Sequence, residues 1–304
     1  MTHYDVFCYG EIGVDNIIQI PHLPTPELAA FPTADSYHIG GAAANTAVWL
    51  AGFGISVGLA GNAIGRDLYG NWLWEWLSQH RSLDLSLIER REDVTTPFCR
   101  AMVTPDGERT FLVFWYPQTP KTPLKASMLG GAQFVALDLY GGDERLEAAR
   151  VAREAGAKTT VGDVIAPDHP ALPLTDIATN SAAYIRETFP GVDVRQHARR
   201  LQAISKGIVI TTDGPDEVYV VDAEGASFTV QPPAVQAVDA TGAGDAFRAG
   251  LLYGLLQGRD LPHSVCWGVA AGALKVQRIG AASDLPSRDE VAALARTLEP
   301  RAAS

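Results

Sequence analysis

The chain has 304 residues, with 24 Lys+Arg against 35 Asp+Glu and a formal charge of −11. That acidic balance excludes the basic face a nucleic-acid binder needs to neutralise phosphates, and it weakens a membrane-surface role. With 47% hydrophobic and 19% charged residues, the composition is that of a globular enzyme built on one large core. Cys8, Cys99 and Cys266 are odd in number, far apart and without a CxxC pair, which suits a reducing compartment. No apolar run reaches membrane-spanning length, and the opening MTHYDVFCYGEIGVDN has no basic stretch followed by an apolar one. A cytoplasmic location without membrane contact is expected.

Short β-branched and aromatic runs alternate with longer helical patterns along the chain. Val6 to Tyr9 reads as a buried strand. The segment Ile12 to His38, interrupted by Pro21, Pro24, Pro26 and Pro32, reads as extended chain that cannot be a helix. A helix is predicted from Ala43 to Gly52, a strand from Ser56 to Ala60, and a helix from Leu68 to His80. In that last helix Trp72 and Trp76 share a face, which reads as core, as a subunit contact or as a stacking platform. Phe98 to Tyr116 reads as a hairpin turning at Pro105-Asp106-Gly107.

Beyond it come strands at Phe134 to Leu139, Thr159 to Val164, Asp176 to Thr179 and Ile208 to Thr211, with helices at Arg145 to Ala155 and Val194 to Ile204 between them. Helices Ala246 to Gln257, His263 to Val276 and Ser287 to Leu298 follow, the last opening with the capping-box pattern Ser-Arg-Asp-Glu. Such alternation predicts an α/β fold with a doubly wound, mostly parallel sheet between helices. The chain is expected to form one domain over residues 1–304, with segments at about 12–38 and 97–116 making a small β-lid.

The segment VDATGAGDAFRAG, Val238 to Gly250, carries the most chemistry. Gly242 and Gly244 stand where a loop becomes a helix, so that backbone N–H groups and the helix dipole together make an anion site. Asp245 sits in the first turn, where its carboxylate either takes a proton from an attacking hydroxyl or caps the helix. In IGGAAANT, Gly40 and Gly41 allow close approach to backbone, and Asn45 offers donors and an acceptor to a sugar hydroxyl. GNAIGRDLYG is a further Gly-rich loop leading into a helix.

GGAAAN, GNAIGRDLYG and DATGAGDAFRAG, in this order, resemble the ribokinase (PfkB) family of carbohydrate kinases. GEIGVDN near the start and KVQRIGAASDLP near the end extend the resemblance over nearly the whole chain. It implies a ribokinase-like α/β core with a β-lid, and an ATP-dependent, Mg2+-requiring phosphotransferase acting on a primary hydroxyl. Asp245 matches the family's base, with Gly242, Ala243 and Gly244 at the anion hole and the amides of Ala243, Gly244 and Asp245 its donors. Asp15, Gly40, Gly41 and Asn45 match sugar contacts. Asn180, Thr212 and Gly214 match the nucleotide site, and Asp239 and Thr241 fall where several members hold a monovalent cation, commonly K+.

Three positions depart from the family pattern. Asn180-Ser181-Ala182-Ala183 lacks the Glu of an Asn-x-x-Glu motif that helps organise magnesium and phosphate. Glu217 stands where the nucleotide loop usually has a further Gly, and Tyr140 falls near a position where ribokinases proper often have a sugar-binding Glu.

A P-loop kinase is excluded because GxxxxGK[ST] is absent, and the glycines are wrongly spaced for a dinucleotide fingerprint. Among acceptors, ribose, fructose, a keto-deoxy sugar acid and a nucleoside stay open, as does a non-catalytic sugar or nucleoside sensor with the same fold. Phe98, Phe111, Phe114, Trp115 and Tyr116 on the hairpin read as ring-stacking groups, as the lid's own core or as a homodimer contact, and Arg100 and Arg109 as partners for a carboxylate or phosphate.

Overall fold

The computed structural model describes residues 3–105, 109–164 and 166–303. Its central sheet follows from strands that are apolar on both sides, a pattern stable only when helices cover both faces. In the strand Val6–Gly10 every residue is buried. Val6 and Cys8 enter one core, while Phe7 and Tyr9 enter the other. The helices Ala42–Gly52, Ala243–Leu256, Leu261–Lys275 and Arg288–Ala295 cover the first face. Asp143–Glu154 and Val194–Ser205 cover the second.

The sheet has ten strands. From one edge they run Pro300–Ala302, Ser227–Val230, Asp216–Val221, Ile208–Asp213, Ile177–Ser181, Lys158–Gly162, Phe134–Leu137, Val6–Gly10, Val57–Gly61 and Leu83–Asp84. Pairing is parallel from Ile208–Asp213 through to Leu83–Asp84 and antiparallel beyond it. Of the three antiparallel strands, none expected from the sequence, Ser227–Val230 and Pro300–Ala302 are four and three residues long, and Asp216–Val221 opens with two acids before its apolar run. The short helix Ala182–Thr188 was missed for the same want of length.

A separate four-stranded sheet orders Ala34–Gly40, Gly13–Gln19, Phe98–Val103 and Arg109–Phe114. Gly13–Gln19 pairs antiparallel with Ala34–Gly40 and parallel with Phe98–Val103, so the two segments that broke the strand–helix rhythm become one layer. Asp106 and Gly107, at the predicted turn of the hairpin, lie outside the described residues.

The expected capping box is present, with Ser287 and Glu290 each accepting from the other's backbone N–H. Trp72, Trp74 and Trp76 are half-buried against the first core around the fully buried Leu73 and Leu77, and the Arg90 guanidinium lies 4.9 Å from the Trp74 ring centre. The strand predicted to reach Val164 stops at Gly162, because Asp163 takes a left-handed φ of 56°.

Candidate active site

Strand order reverses about Val6–Gly10, which has Val57–Gly61 on one side and Phe134–Leu137 on the other. Open α/β sheets place their ligand crevice beyond the carboxyl ends of strands at such a reversal. Asp138, just past Leu137 and 1% exposed, anchors this crevice. Its Oδ1 accepts from Arg145 Nε at 2.9 Å and its Oδ2 from the Glu11 amide at 2.6 Å. A Cβ on Gly10 would lie 1.9 Å from Asp138 Oδ2, so only glycine fits there.

Asp245 enters from the first turn of Ala243–Leu256, behind Gly242 at φ 73°. Its Oδ2 accepts from Asn45 Nδ2 at 3.1 Å and its Oδ1 from the Arg248 guanidinium at 3.1 Å. Arg248 also donates to the Leu137 carbonyl at 2.8 Å, tying the carboxylate to the sheet. The Asp245 carboxylate therefore engages other side chains and does not cap its own helix. Burial pushes its pKa up to about 6, against the opposing pull of Arg248 and Asn45 and with added repulsion from Asp138 and Asp163. Gly242 is required, since a Cβ there would meet Ala281 Cβ at 2.4 Å. The Ala243 amide closes a turn on the Ala240 carbonyl at 3.2 Å. The Gly244 and Asp245 amides lie at the same helix start, beside the open space over Gly244.

Opposite stands Asp15, on Gly13–Gln19, with His38 and Cys99 as its register neighbours. No donor among the described residues reaches its carboxylate. Burial pushes its pKa up to about 8, helped by the charges of Asp245, Asp239 and Glu11. The Glu11 carboxyl rises to about 7, through burial first and then Asp138. Gly40 and Gly41 are fixed by close approach: a Cβ would come within 2.3 Å of Asp15 Oδ1 at the former and of the Glu11 carbonyl at the latter. Asn45 is 4% exposed, and its Oδ1 has no hydrogen-bond partner.

The expected nucleotide residues lie along the neighbouring strand ends. Asn180, 2% exposed, has neither Nδ2 nor Oδ1 partnered, and Thr212 Oγ1 donates to its carbonyl at 3.3 Å. Gly214, at φ 56°, turns the chain from Ile208–Asp213 into Asp216–Val221. Glu217 lies on that second strand, paired with Arg195 at 3.0 Å, so the departure from glycine falls outside the turn. Ala183 is exposed on the first turn of Ala182–Thr188. Tyr140, 62% exposed, donates to Asp163 Oδ2 at 3.1 Å, and the Ser181 amide reaches Asp163 Oδ1 at 3.3 Å.

Asp239 Oδ1 accepts from the Thr241 amide and Oδ2 from the Gly280 amide, each at 2.9 Å. Burial would raise this carboxyl, but the Lys275 charge and those two amides outweigh it and hold it below the ordinary carboxylate range. Asp239, one of the two residues expected to hold a potassium ion, faces an ammonium, with Lys275 Nζ 3.5 Å from Asp239 Oδ2 and 2.6 Å from the Asp239 carbonyl.

Arg248, Lys275, Asp138 and Asp163 are the site residues that sequence reading missed. The available signal was a charge inside an apolar run, as in AFRAGLLYGLL and GVAAGALKV, since a buried charge is kept only where it is paired. Among the described residues no group of three or more His, Cys, Asp or Glu stands ready to hold a metal ion. No helix there is long and apolar enough to cross a membrane.

The chain matches the pattern described as pfkB family carbohydrate kinase over residues 4–288. It is 27% identical over 296 residues to the ribokinase of Haemophilus influenzae, covering 92% of this chain and 95% of that one. Among solved structures, Arabidopsis thaliana ribokinase complexed with ribose and ATP superposes with a TM-score of 0.81 at 20% identity, over 97% of this chain and 99% of that one. Burkholderia thailandensis nucleoside kinase in complex with inosine superposes with a TM-score of 0.75 at 20% identity, covering 96% of each chain.

Proposed function

Since this chain belongs to the pfkB family of carbohydrate kinases, we propose that it moves the γ-phosphoryl group of ATP to a primary hydroxyl of a sugar: ribose, fructose or a keto-deoxy sugar acid. The observation that carries this reading is the Asp245 carboxylate, held by Asn45 and Arg248 at a helix N-terminus with a pKa of about 6. Such a group is ionised at neutral pH yet basic enough to accept a hydroxyl proton. The acceptor oxygen gives its proton to Asp245 and bonds to the γ-phosphorus. The bond from that phosphorus to the bridging oxygen breaks, and ADP leaves with the electron pair. The Gly244 and Asp245 amides hold the transferring group's charge.

Asn45 Oδ1, an acceptor with no partner among the described residues, and the Asp15 carboxyl support a sugar whose hydroxyls bond to them. Asn180, Thr212 and Gly214 support the nucleotide site. Magnesium, when bound with the nucleotide, neutralises phosphate charge. The orphaned Asn180 carboxamide and the Asp163 carboxylate have the chemistry to hold its water shell. The small sheet acts as a lid that brings Asp15 over the acceptor and keeps water from taking the phosphoryl group. Its outer strand exposes Phe111, Leu112 and Val113, which favours a homodimer through the lid.

A nucleoside acceptor is the second reading, favoured by the exposed Tyr140 ring at the mouth of the crevice. ADP release measured across a panel of sugars and nucleosides, with ATP and Mg2+, tests both. Turnover on a sugar is expected. Turnover confined to nucleosides selects the second reading, and silence across the panel overturns both.

A further inference from the structure

Lys275 ends the helix Leu261–Lys275 with its side chain 1% exposed. A buried ammonium is costly unless oxygens surround it. Here Nζ donates to the Asp239 carbonyl at 2.6 Å and the Arg278 carbonyl at 3.2 Å, and stands 3.5 Å from Asp239 Oδ2. Two carbonyls and a carboxylate are also the oxygen set that a bare alkali cation takes, and ammonium and potassium are close in ionic size.

What this charge holds together matters for the site. The Asp239 carboxylate reaches the Thr241 amide, one residue before Gly242, and the Gly280 amide on the segment after the helix. That segment backs directly onto the anion-binding turn, since Ala281 Cβ would meet a Cβ on Gly242 at 2.4 Å. It also reaches the small sheet, where His38 Nδ1 and Ser283 Oγ share a 2.9 Å hydrogen bond and His38 is the register partner of Asp15. One ammonium therefore sits at the knot joining the turn before Asp245, the 278–283 segment and the acceptor side of the crevice.

We propose that Lys275 is a positioning residue whose ammonium takes the place of a monovalent cation behind the anion-binding turn, so that phosphoryl transfer here runs at full rate without potassium. The rate half of this inference rests on the transfer chemistry assigned above; the cation half does not. The Lys275 side chain fills the oxygen cluster, so the site does not fit an added ion.

The experiment compares the full-length protein with Lys275→Ala in potassium-free choline buffer, and again after adding about 100 mM KCl, NH4Cl or LiCl at constant ionic strength. Two readouts are taken, kcat/KM by ADP release and melting temperature without nucleotide or acceptor. For the natural protein neither readout should change with KCl by more than about twofold in rate or a degree in melting. Lys275→Ala should lose about tenfold or more in kcat/KM and regain most of it with KCl or NH4Cl but not LiCl, its melting temperature rising with the same salts.

A natural protein that needs potassium overturns the proposal. So does an alanine variant, impaired or unfolded, that no cation restores, because that result marks a purely structural lysine. If the natural protein turns over no acceptor at all, the reading of its activity fails separately. The melting data then still decide whether Lys275 stands in for a cation.

Discussion

Asn45 and Asp245 are 200 positions apart in the chain and meet through a 3.1 Å hydrogen bond. The bond joins the N-terminal turns of two helices that pack side by side on one face of the sheet. Asn45 spends its Nδ2 on the carboxylate and keeps its buried Oδ1 unpaired. The pair thus presents one acceptor for a ligand donor beside one group able to take a proton.

Replacing Asp245 with Asn keeps the shape and removes the base. Expected is a fall in kcat of about 10²–10⁴-fold with acceptor KM changed only a few-fold. The melting temperature should hold or rise, because a buried carboxylate is removed. Normal turnover in Asp245→Asn would show that another group takes the proton.

The acid limb of the rate profile should belong to Asp245. Its carboxyl must be ionised to act, so kcat/KM should fall as pH drops through about 6. Arg248 pulls that pKa down. Arg248→Met should therefore move the limb to higher pH and also destabilise the fold by about 3 kcal/mol. An unmoved limb in a folded variant would assign the titration elsewhere.

Asp15 makes a prediction about stability with a definite sign. Its folded pKa of about 8 lies above the ordinary aspartate value of 3.8, so the folded state binds the proton more tightly. Its contribution is most favourable below about pH 4 and is lost as pH rises to about 8, because an unpartnered charge must then be buried. In the absence of acceptor, Asp15→Asn should melt with the natural protein near pH 4 and several degrees above it at pH 9, where ~1 kcal/mol corresponds to about 2–4 °C. Acceptor KM should rise in the same variant. Parallel melting curves at every pH would refute the buried-charge account.

Ala183 sits exposed in the first turn of Ala182–Thr188, three residues after Asn180 with its orphaned amide. Ala183→Glu places a carboxylate in the first turn, where the helix dipole favours it, and should leave stability within about 0.5 kcal/mol. The expected gain is a lower magnesium concentration for half-maximal rate. An unchanged titration would separate this position from the metal.

The sequence reveals most where pattern and chemistry coincide. Continuous apolar strands announce a sheet covered on both faces, and the glycines before Asp245 announce a helix start open to an anion. Ser227–Val230 and Pro300–Ala302 stay hidden because they are four and three residues long, whereas Asp216–Val221 carries a legible apolar run, VYVV, after its two acids. Asp163 is hidden differently: its role depends on a left-handed backbone at the aspartate itself, while the adjacent Gly162 ends the strand without a positive φ. The turn that the Ala243 amide closes on the Ala240 carbonyl is likewise invisible in composition. Lys275 is legible only as a charge ending an apolar run, and its oxygen partners come from Asp239 and Arg278, which the fold brings to it.

The order in which the site's parts occur along the chain has a consequence for synthesis. A ribosome that has made Asp15, Asn45, Asp138 and Asn180 has still to make Thr212 and Gly214, the carboxylate at 245 and the internal charge at 275. Asn45 therefore waits through 200 residues of synthesis for the carboxylate it holds.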